Sequence, residues 1–230
     1  MTVQNPRSIE DLIGPLNEVE RKNAPKVLFF AGDLRLLNAG PRVSIVGSRK
    51  ASTRGLKTAR DLAGWLIRRG AVVVSGLADG IDASAHHGAI DAGGKTIGVI
   101  GTPLNEFYPA KNRALQTTLM REHLVLSQFA PGVPSQPKNF PIRNRTMALL
   151  SHATIIVEAE DKSGSLHQGW EALRLGRPLF VLDRLMSDPS LSWPAELAHY
   201  GALPLVPRNV EAITEYLPEH GRADLAAIEL

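Results

Sequence analysis

Short runs of valine, isoleucine and leucine alternate along this chain with longer stretches in which apolar residues recur every three or four positions. The clearest periodic stretch is 53–69, where Leu56, Ala59 and Leu62 fall on one side of a helix, and Gly70 follows as is common at a helix end. The pattern predicts strands at 27–30, 43–46, 71–74, 96–100, 124–126, 154–157, 178–182 and 203–206, and helices at 53–69, 81–92, 112–122, 143–151 and 166–175.

The order of these elements predicts the fold class. A strand followed by a helix and then another strand is the unit that pairs strands in parallel. The strands are rich in valine and isoleucine, as is typical of strands covered on both faces. We therefore predict an α/β fold, an extended Rossmann-like domain with a doubly wound, mostly parallel sheet and helices on both faces. The run at 27–30 is predicted to be an edge strand.

The same pattern divides the chain into three parts. Residues 1–24 are polar and predict an N-terminal arm or a short helix. Residues 25–218 form the predicted Rossmann-like domain, and 219–230 form an acidic C-terminal tail. Within the domain, a cluster of prolines predicts a loop at 128–140.

The composition narrows the classes of protein to which the chain can belong. Hydrophobic residues make up 43% of the chain, enough to bury a core without covalent cross-links. The absence of cysteine excludes disulfides, thiolate zinc sites and a cysteine nucleophile. No stretch is long and apolar enough for a signal peptide or a membrane span, so a cytoplasmic protein with no membrane contact is expected. The formal net charge is +3, and acids concentrate after residue 210, which leaves the rest more basic and suited to a polyanion.

Small and basic residues follow three of the predicted strands, where open parallel sheets bind their ligands. Glycine lets a ligand approach the backbone, and a helix N-terminus offers free N–H groups to an anion. Each glycine alone is more often explained by a tight turn than by a ligand. No dinucleotide fingerprint or Walker A loop is present, and no cofactor is predicted. The candidate phosphate-binding residues in these loops are Gly47, Ser48, Arg49, Lys50, Ser75, Gly76, Lys162, Ser163, Gly164 and Ser165.

A fourth candidate segment follows the proline-rich loop and combines an aromatic ring with guanidinium and amide groups. Base stacking on a ring, with phosphate contacts from arginine, holds unpaired strands without sequence preference. An alternative is that the ring fills the core and the arginines cap neighbouring strands. The residues concerned are Asn139, Phe140, Arg143, Asn144 and Arg145.

Catalytic chemistry has little support in the sequence. His86 and His87 are adjacent on a predicted helix, so they point about 100° apart and make a poor metal pair. Asp79 or Asp82 is expected to cap that helix. No serine nucleophile elbow or zinc-protease motif occurs. We predict no catalytic residue and no metal site, although Glu171 keeps an enzymatic alternative open if it faces the crevice.

Several motifs, taken in order, resemble the DNA-processing protein A (DprA/Smf) family. They cover residues 25–182 and comprise VSIVGSR at 43–49, SGLADGID at 75–82, AH at 85–86, GGKT at 93–96, YP at 108–109 with Asn112, Ser127, FPIRNR at 140–145 and KSGSL at 162–166.

This resemblance implies a dimeric Rossmann-like protein that binds single-stranded DNA and helps to load the RecA recombinase during natural transformation, without catalysis. It implies that Arg49 holds a phosphate, that Phe140 and residues 143–145 line the DNA pocket, and that Ser163 and Gly164 flank it. Relative to the family, we expect the N-terminal helical domain to be missing or reduced to about 24 residues and the C-terminal winged helix to be missing. The sequence departs from the family pattern at 167–171 and after residue 182.

Two other functions stay open at this stage. One is a sensor or enzyme for a nucleotide-derived small ligand, as in the Rossmann-like nucleotide phosphoribohydrolases, whose Pro-Gly-Gly-x-Gly-Thr loop is replaced here by Lys-Ser-Gly-Ser. The other is a purely structural or adaptor role through dimerisation. A shared basic groove would favour a DNA strand, whereas a closed pocket would favour a small ligand.

Overall fold

The computed structural model describes residues 5–161 and 163–218, and its strands follow the predicted ones closely. Lys162 and the predicted acidic tail lie outside the described residues. In the described residues the strands are β1 Arg7–Ser8, β2 Val27–Gly32, β3 Arg42–Gly47, β4 Val72–Ser75, β5 Thr96–Ile100, β6 Leu124–Ser127, β7 Ala153–Glu158, β8 Leu179–Leu182 and β9 Leu203–Leu205.

All of these strands join one sheet, in the order β1-β2-β6-β5-β4-β3-β7-β8-β9. The strands from β6 to β9 in that order pair in parallel, whereas β2 is antiparallel to both β1 and β6. The chain builds outward from β3 to β6 on one side, then crosses back and continues from β7 to β9 on the other. The boundary between β3 and β7 is therefore the switch point of a doubly wound sheet.

The helices connect these strands. They are α1 Ile9–Ile13, α2 Glu18–Arg21, α3 Thr53–Arg68, α4 Ile81–Asp91, α5 Arg113–Glu122, α6 Asn139–Leu150, α7 Gly164–Arg174, α8 Asp183–Met186 and α9 Trp193–His199, with 3₁₀ helices at Leu34–Asn38, Ala110–Asn112 and Pro207–Tyr216. Because parallel crossovers are right-handed, the helices that follow β3 and β4 lie on the face opposite to α7. The contacts agree: α3 packs against α4, and α6 against α7.

The core lies between the sheet and these helices. The strands β4, β5, β6 and β8 are buried along their whole length, and β3 and β7 up to their last residue; Val43, Ile45, Val73 and Ile155 have no exposed surface. This burial on both faces explains why the strands read as continuous apolar runs rather than alternating ones. The fold class predicted from the sequence is confirmed.

Three segments differ from the sequence prediction. The strand β2 is not an edge strand, because β1 pairs with its outer side and β6 with its inner side. The proline-rich loop ends earlier than predicted, because α6 begins at Asn139 and includes Pro141 in its first turn. Proline is tolerated there since the first helical N–H groups have no partner inside the helix. Before residue 24, β1, α1 and α2 pack on the domain, and Ile9 and Leu12 join its core.

Candidate functional site

A crevice of about 660 Å³ opens beyond the carboxyl ends of β3 and β7, at the switch point of the sheet. Its walls are the loop after β3, the first turns of α6, and the segment between β7 and α7. The lining residues are Val46, Gly47, Ser48, Arg49, Lys50, Ala78, Asp82, Tyr108, Pro137, Phe140, Pro141, Arg143, Asn144, Met147, Glu160, Asp161, Ser163, Gly164, Ser165 and His167.

The loop after β3 is held close to the end of β7. The Ser48 N–H donates to the Glu158 carbonyl at 2.6 Å. A Cβ atom on Gly47 would lie only 2.6 Å from that same oxygen, so the close approach of the two strands requires glycine. The loop then leaves Arg49 and Lys50 exposed at the mouth of the crevice.

The N-terminus of α3 is not open to a ligand, contrary to the sequence prediction. Glu158 accepts hydrogen bonds from the Ser52 N–H at 2.7 Å and the Ser52 hydroxyl at 2.6 Å. Ser52 in turn caps the helix by accepting from the Gly55 N–H at 3.0 Å. A carboxylate of the protein itself therefore occupies the positive end of this helix, and the charge that the crevice offers to an anion comes from side chains.

Two aromatic rings and one guanidinium form the wall opposite α7. The Arg49 guanidinium carbon lies 5.3 Å from the centre of the Phe140 ring, and the Tyr108 ring centre lies 5.2 Å from that of Phe140. Phe140 is partly buried and lies against Gly101, where a Cβ atom would be 2.8 Å from the Phe140 Cδ1. Tyr108 is 51% exposed. Phe140 thus supports Arg49, and Tyr108 presents the more open ring to the crevice.

Arg143 lines the crevice, as the sequence predicted, but its guanidinium is buried beneath it. Its side chain is only 4% exposed, and its Nη1 donates to the Gly76 carbonyl and, at 2.6 Å, to the Val99 carbonyl. Burial lowers the pKa of Arg143 to about 10, while the Asp82 carboxylate opposes that shift. The guanidinium remains charged at neutral pH, but Nη1 holds the ends of β4 and β5 together beneath the crevice.

Asp82 stabilises the loop between β4 and α4. Its Oδ2 accepts from the Gly76 N–H at 3.1 Å and the Ala78 N–H at 3.4 Å. The N-cap of α4 is Gly80, without a side-chain cap, so the prediction that Asp79 or Asp82 caps this helix is wrong. Burial raises the pKa of Asp82, and Arg143 and the two N–H groups act against that rise.

The segment before α7 supplies the third wall. Ser163 is the N-cap of α7 without a side-chain capping bond; its hydroxyl lies 2.8 Å from that of Ser165. The Asn144 Nδ2 donates to the Gly164 carbonyl at 2.8 Å, which ties α6 to the start of α7. Ser163 and Gly164 thus border the crevice with small side chains, and Asn144 joins the two helices that form its walls.

The structure brings ten of the fifteen predicted site residues to the crevice, and four others lie elsewhere. Ser75 is fully buried, and its hydroxyl donates to the Ile45 carbonyl at 2.7 Å. Gly76 lies against the Arg143 guanidinium, with no room for a Cβ atom. Asn139 is buried, and Arg145 is exposed but does not line the crevice. Lys162 lies outside the described residues.

The sequence prediction missed several residues of the crevice. Tyr108 is the most relevant of these, and the Tyr-Pro pair after β5 was a usable signal for it because it also follows a strand end. Glu160, Asp161 and His167 also line the crevice. No pattern in the sequence shows that residues from the loop after β5 fold back to meet α6.

The position of Glu171 does not support the enzymatic alternative. Glu171 is buried outside the crevice and pairs with Arg174, with 2.6 Å between Oε1 and Nη2. His86 is fully buried and its Nδ1 lies 2.7 Å from the Thr96 hydroxyl, whereas His87 is exposed. Among the described residues there is no cluster of three histidine or acidic side chains that could hold a metal ion. In that same part of the chain, no helix has the length and apolar character needed to cross a bilayer.

The fold defines the chain as a Rossmann-like α/β protein whose switch-point crevice has two aromatic rings in its wall and two exposed cations, Arg49 and Lys50, at its mouth. Comparison with known families identifies the chain more closely. The family model described as DNA recombination-mediator protein A matches residues 9–218, and the chain belongs to this family.

Curated relatives and solved structures agree with this assignment. The chain is 38% identical over 195 residues to DNA processing protein DprA of Bacillus subtilis, covering 85% of this chain and 65% of the relative. It is 42% identical over 181 residues to DprA of Streptococcus pneumoniae, covering 79% and 64%. The match to Protein Smf of Escherichia coli is 36% identical and covers 78% of this chain and 48% of the relative. The chain thus spans about half to two thirds of the length of these relatives.

Two solved structures share the architecture over nearly the whole chain. DNA processing protein A from Streptococcus pneumoniae superposes with a TM-score of 0.77 at 36% identity, covering 90% of this chain and 73% of that one. The second is the structure that describes the single-stranded DNA binding mode of DNA processing protein A from Helicobacter pylori. It has a TM-score of 0.76 at 27% identity and covers 94% and 97%.

Proposed function

We propose that this protein binds single-stranded DNA in the switch-point crevice and acts by binding rather than by catalysis. The observation that carries the proposal is the group formed by Arg49, Lys50, Tyr108 and Phe140 at the crevice mouth. Cations beside open rings hold the phosphates and bases of an unpaired strand without reading its sequence. Membership of the DNA recombination-mediator family supports the same assignment.

The crevice residues take different parts in this proposal. Arg49 and Lys50 contact phosphates, because both are exposed and basic at the crevice mouth. Tyr108 receives a base on its exposed ring, and Phe140 positions Arg49. Ser163 and Gly164 leave space for the backbone of the strand on the opposite wall. Arg143 acts indirectly, through the shape of the crevice floor.

The biological setting that we propose follows from the family. The protein acts in the cytoplasm as a homodimer that receives incoming or processed single strands and passes them to a RecA-type recombinase. Dimerisation would place two crevices on one assembly, so one strand could engage both and gain affinity through effective concentration.

Salt-dependent binding of an oligothymidylate by the Arg49→Ala variant tests the crevice. The slope of log K against log salt should become shallower by about 0.7, because one phosphate contact to a single strand is lost. Arg35→Ala is the control, since Arg35 is also exposed, pairs with Asp33 and lies in the connection between β2 and β3. An unchanged affinity and slope for a double Arg49→Ala, Lys50→Ala variant would contradict the proposal.

Tyr108→Ala tests the stacking contact separately. We expect about tenfold weaker binding with an unchanged salt slope, since base stacking contributes about 1–3 kcal/mol and releases no counterions. Tyr108→Phe keeps the ring and should bind like the wild type. Wild-type affinity of Tyr108→Ala for the oligonucleotide would contradict the proposed stacking of a base on Tyr108.

A further inference from the structure

Four cations lie close together in the sequence, at the crevice mouth and on the helix that leads away from it. They are Arg49, Lys50, Arg54 and Lys57, and residues 34–60 contain no acidic residue. Arg49 and Lys50 line the crevice, whereas Arg54 and Lys57 lie on the first two turns of α3. All four are exposed. We call Arg54 and Lys57 the α3 cations.

The α3 cations share the outer face of their helix. Side chains three positions apart lie on one face, and the buried residues of α3, among them Ala59 and Leu62, form the other side. Arg54 and Lys57 are about 4.5 Å apart along the helix axis, at about 1.5 Å of rise per residue. Successive phosphates of a stacked strand are about 3.4 Å apart. The two side chains can therefore contact neighbouring phosphates of one strand.

Arg54 stands where the helix itself disfavours positive charge. The N-terminal end of a helix carries partial positive charge, so acidic side chains stabilise it and cations destabilise it. The helices α1 and α2 follow this rule, with Glu10 and Glu18 among their first-turn acids. The first turn of α3 has no acid, and it contains Arg54. A cation at a position that weakens its own helix indicates a role towards an external anion.

The charges of the α3 cations are available to a ligand. Arg54 takes part in no ion pair among the described residues. Lys57 pairs with Asp61 at 2.6 Å, but their side chains are 75% and 60% exposed, and such a pair is weak and screened by salt. At the far end of α3, by contrast, Arg69 is tied to another element through Glu211.

We propose that the α3 cations hold phosphates of the single strand as it leaves the crevice, so that the DNA site continues onto the outer face of α3. The inference rests on the proposed DNA binding and extends it. Continuity supports it, because Lys50 lines the crevice and precedes Arg54 by four residues. Phosphate contacts carry no sequence information, so this segment should add affinity for any strand long enough to reach it.

The position of the α3 cations favours an unpaired strand over a duplex. They follow a crevice whose rings, Tyr108 and Phe140, need unpaired bases to stack on. Two side chains on one helix face also match the phosphates of one strand, whereas a duplex presents phosphates of both strands over a wider surface.

Length-dependent binding tests this proposal. Anisotropy of labelled oligothymidylates from about 4 to about 16 nucleotides would be measured with the wild type, Arg54→Gln and the double variant Arg54→Gln, Lys57→Gln. Each lost contact should make the slope of log K against log salt shallower by about 0.7 and, for a contact that contributes nothing at about 1 M salt, weaken binding about fivefold at about 0.1 M. The double variant should therefore bind the longest oligonucleotides about 25-fold more weakly and the shortest ones like the wild type.

Arg68→Gln is the matched control. Arg68 is an exposed arginine on the same helix, about 21 Å along the axis from Arg54. It should bind oligonucleotides of every length like the wild type. Thermal unfolding adds a readout of opposite sign, because glutamine and arginine have similar helix propensities. Arg54→Gln should raise the Tm slightly, whereas Arg68→Gln removes a cation from the last turn, where it is favoured, and should lower the Tm slightly.

Four results would overturn the proposal while leaving the crevice proposal intact. One is wild-type binding by the double variant at every length while Arg49→Ala is impaired. A second is an equal loss for Arg68→Gln, which would show a general effect of net charge. A third is an equal loss for short and long oligonucleotides, because the site would then not extend along α3. The fourth is a loss of affinity for duplex DNA alone.

A wild-type chain that binds no oligonucleotide would refute the crevice and the α3 cations together.

Discussion

Replacing Arg143 should weaken the fold far more than the DNA contact. In Arg143→Met the volume is kept, but the Gly76 and Val99 carbonyls lose a buried donor and Asp82 loses its nearby positive charge. Each of the two buried carbonyls left without a partner costs about 1–3 kcal/mol, so together they account for about 2–6 kcal/mol. We expect the free energy of unfolding to fall by about 3–5 kcal/mol, the middle of that range.

Urea and thermal unfolding measure this loss directly. For a domain of this size about 1 kcal/mol corresponds to about 2–4 °C, so the Tm should fall by roughly 6–20 °C. Arg145→Met is the matched control, because Arg145 is an exposed arginine two positions later on the same helix. It should change the unfolding free energy by less than about 0.5 kcal/mol.

The opposite outcome would refute this assignment of Arg143. If Arg143→Met kept wild-type stability but lost affinity for single-stranded DNA, its guanidinium would be a phosphate ligand rather than a support for the crevice floor. The Arg49→Ala variant should show that behaviour instead, with reduced affinity and unchanged unfolding, since Arg49 is exposed. Measuring both quantities on both variants separates the two roles.

Two other predictions concern buried groups. Burial lowers the pKa of His86 to about 3, against an ordinary value of about 6.5, so its neutral form supports folding above about pH 6.5 and this support is lost as the pH falls towards 3. In His86→Gln the fall in unfolding free energy between about pH 6 and pH 4 should be shallower than in the wild type by about 1.4 kcal/mol per pH unit. The variant His87→Gln, at an exposed position, is the control and should match the wild type. Parallel curves of unfolding free energy against pH for the wild type and His86→Gln would contradict this prediction. Gly76→Ala places a Cβ atom against Arg143 and should destabilise the fold by about 2 kcal/mol or more in urea unfolding. Gly164→Ala should be nearly neutral, because a Cβ atom there meets nothing within 4 Å. Equal effects of the two substitutions would contradict the close packing of Gly76 against Arg143.

The sequence was sufficient to predict the parallel strands of the sheet, but not β1 or the boundaries set by tertiary packing. The buried runs of β3 to β8 have no competing interpretation, because strands this apolar must be covered on both faces. The start of α6 was misjudged since a cluster of prolines normally ends regular structure, whereas Pro141 falls in the one helical turn that tolerates it.

Within the candidate site, the sequence predicted which loops meet but not which way their side chains point. The order of strands brings the loops after β3 and β7 together, as the motifs implied. The inward direction of Arg143 depends on the position of α6 over β4 and β5, which no local pattern encodes. For the same reason the sequence could not show that Glu158 closes the N-terminus of α3.

The Glu158 carboxylate at the start of α3 has a consequence for competition inside a cell. A helix end left open at a switch point would offer a ready-made seat to any small phosphate compound, including the abundant mononucleotides. Here the Glu158 carboxylate occupies that position, and the attraction for an anion comes from the separate side chains of Arg49 and Lys50. A lone phosphate gains little from such an arrangement, whereas a polymer engages several of them at once. For the proposed DNA binding we therefore expect long polyanions to be favoured over mononucleotides through valency, since Arg49 and Lys50 each contribute a separate exposed charge.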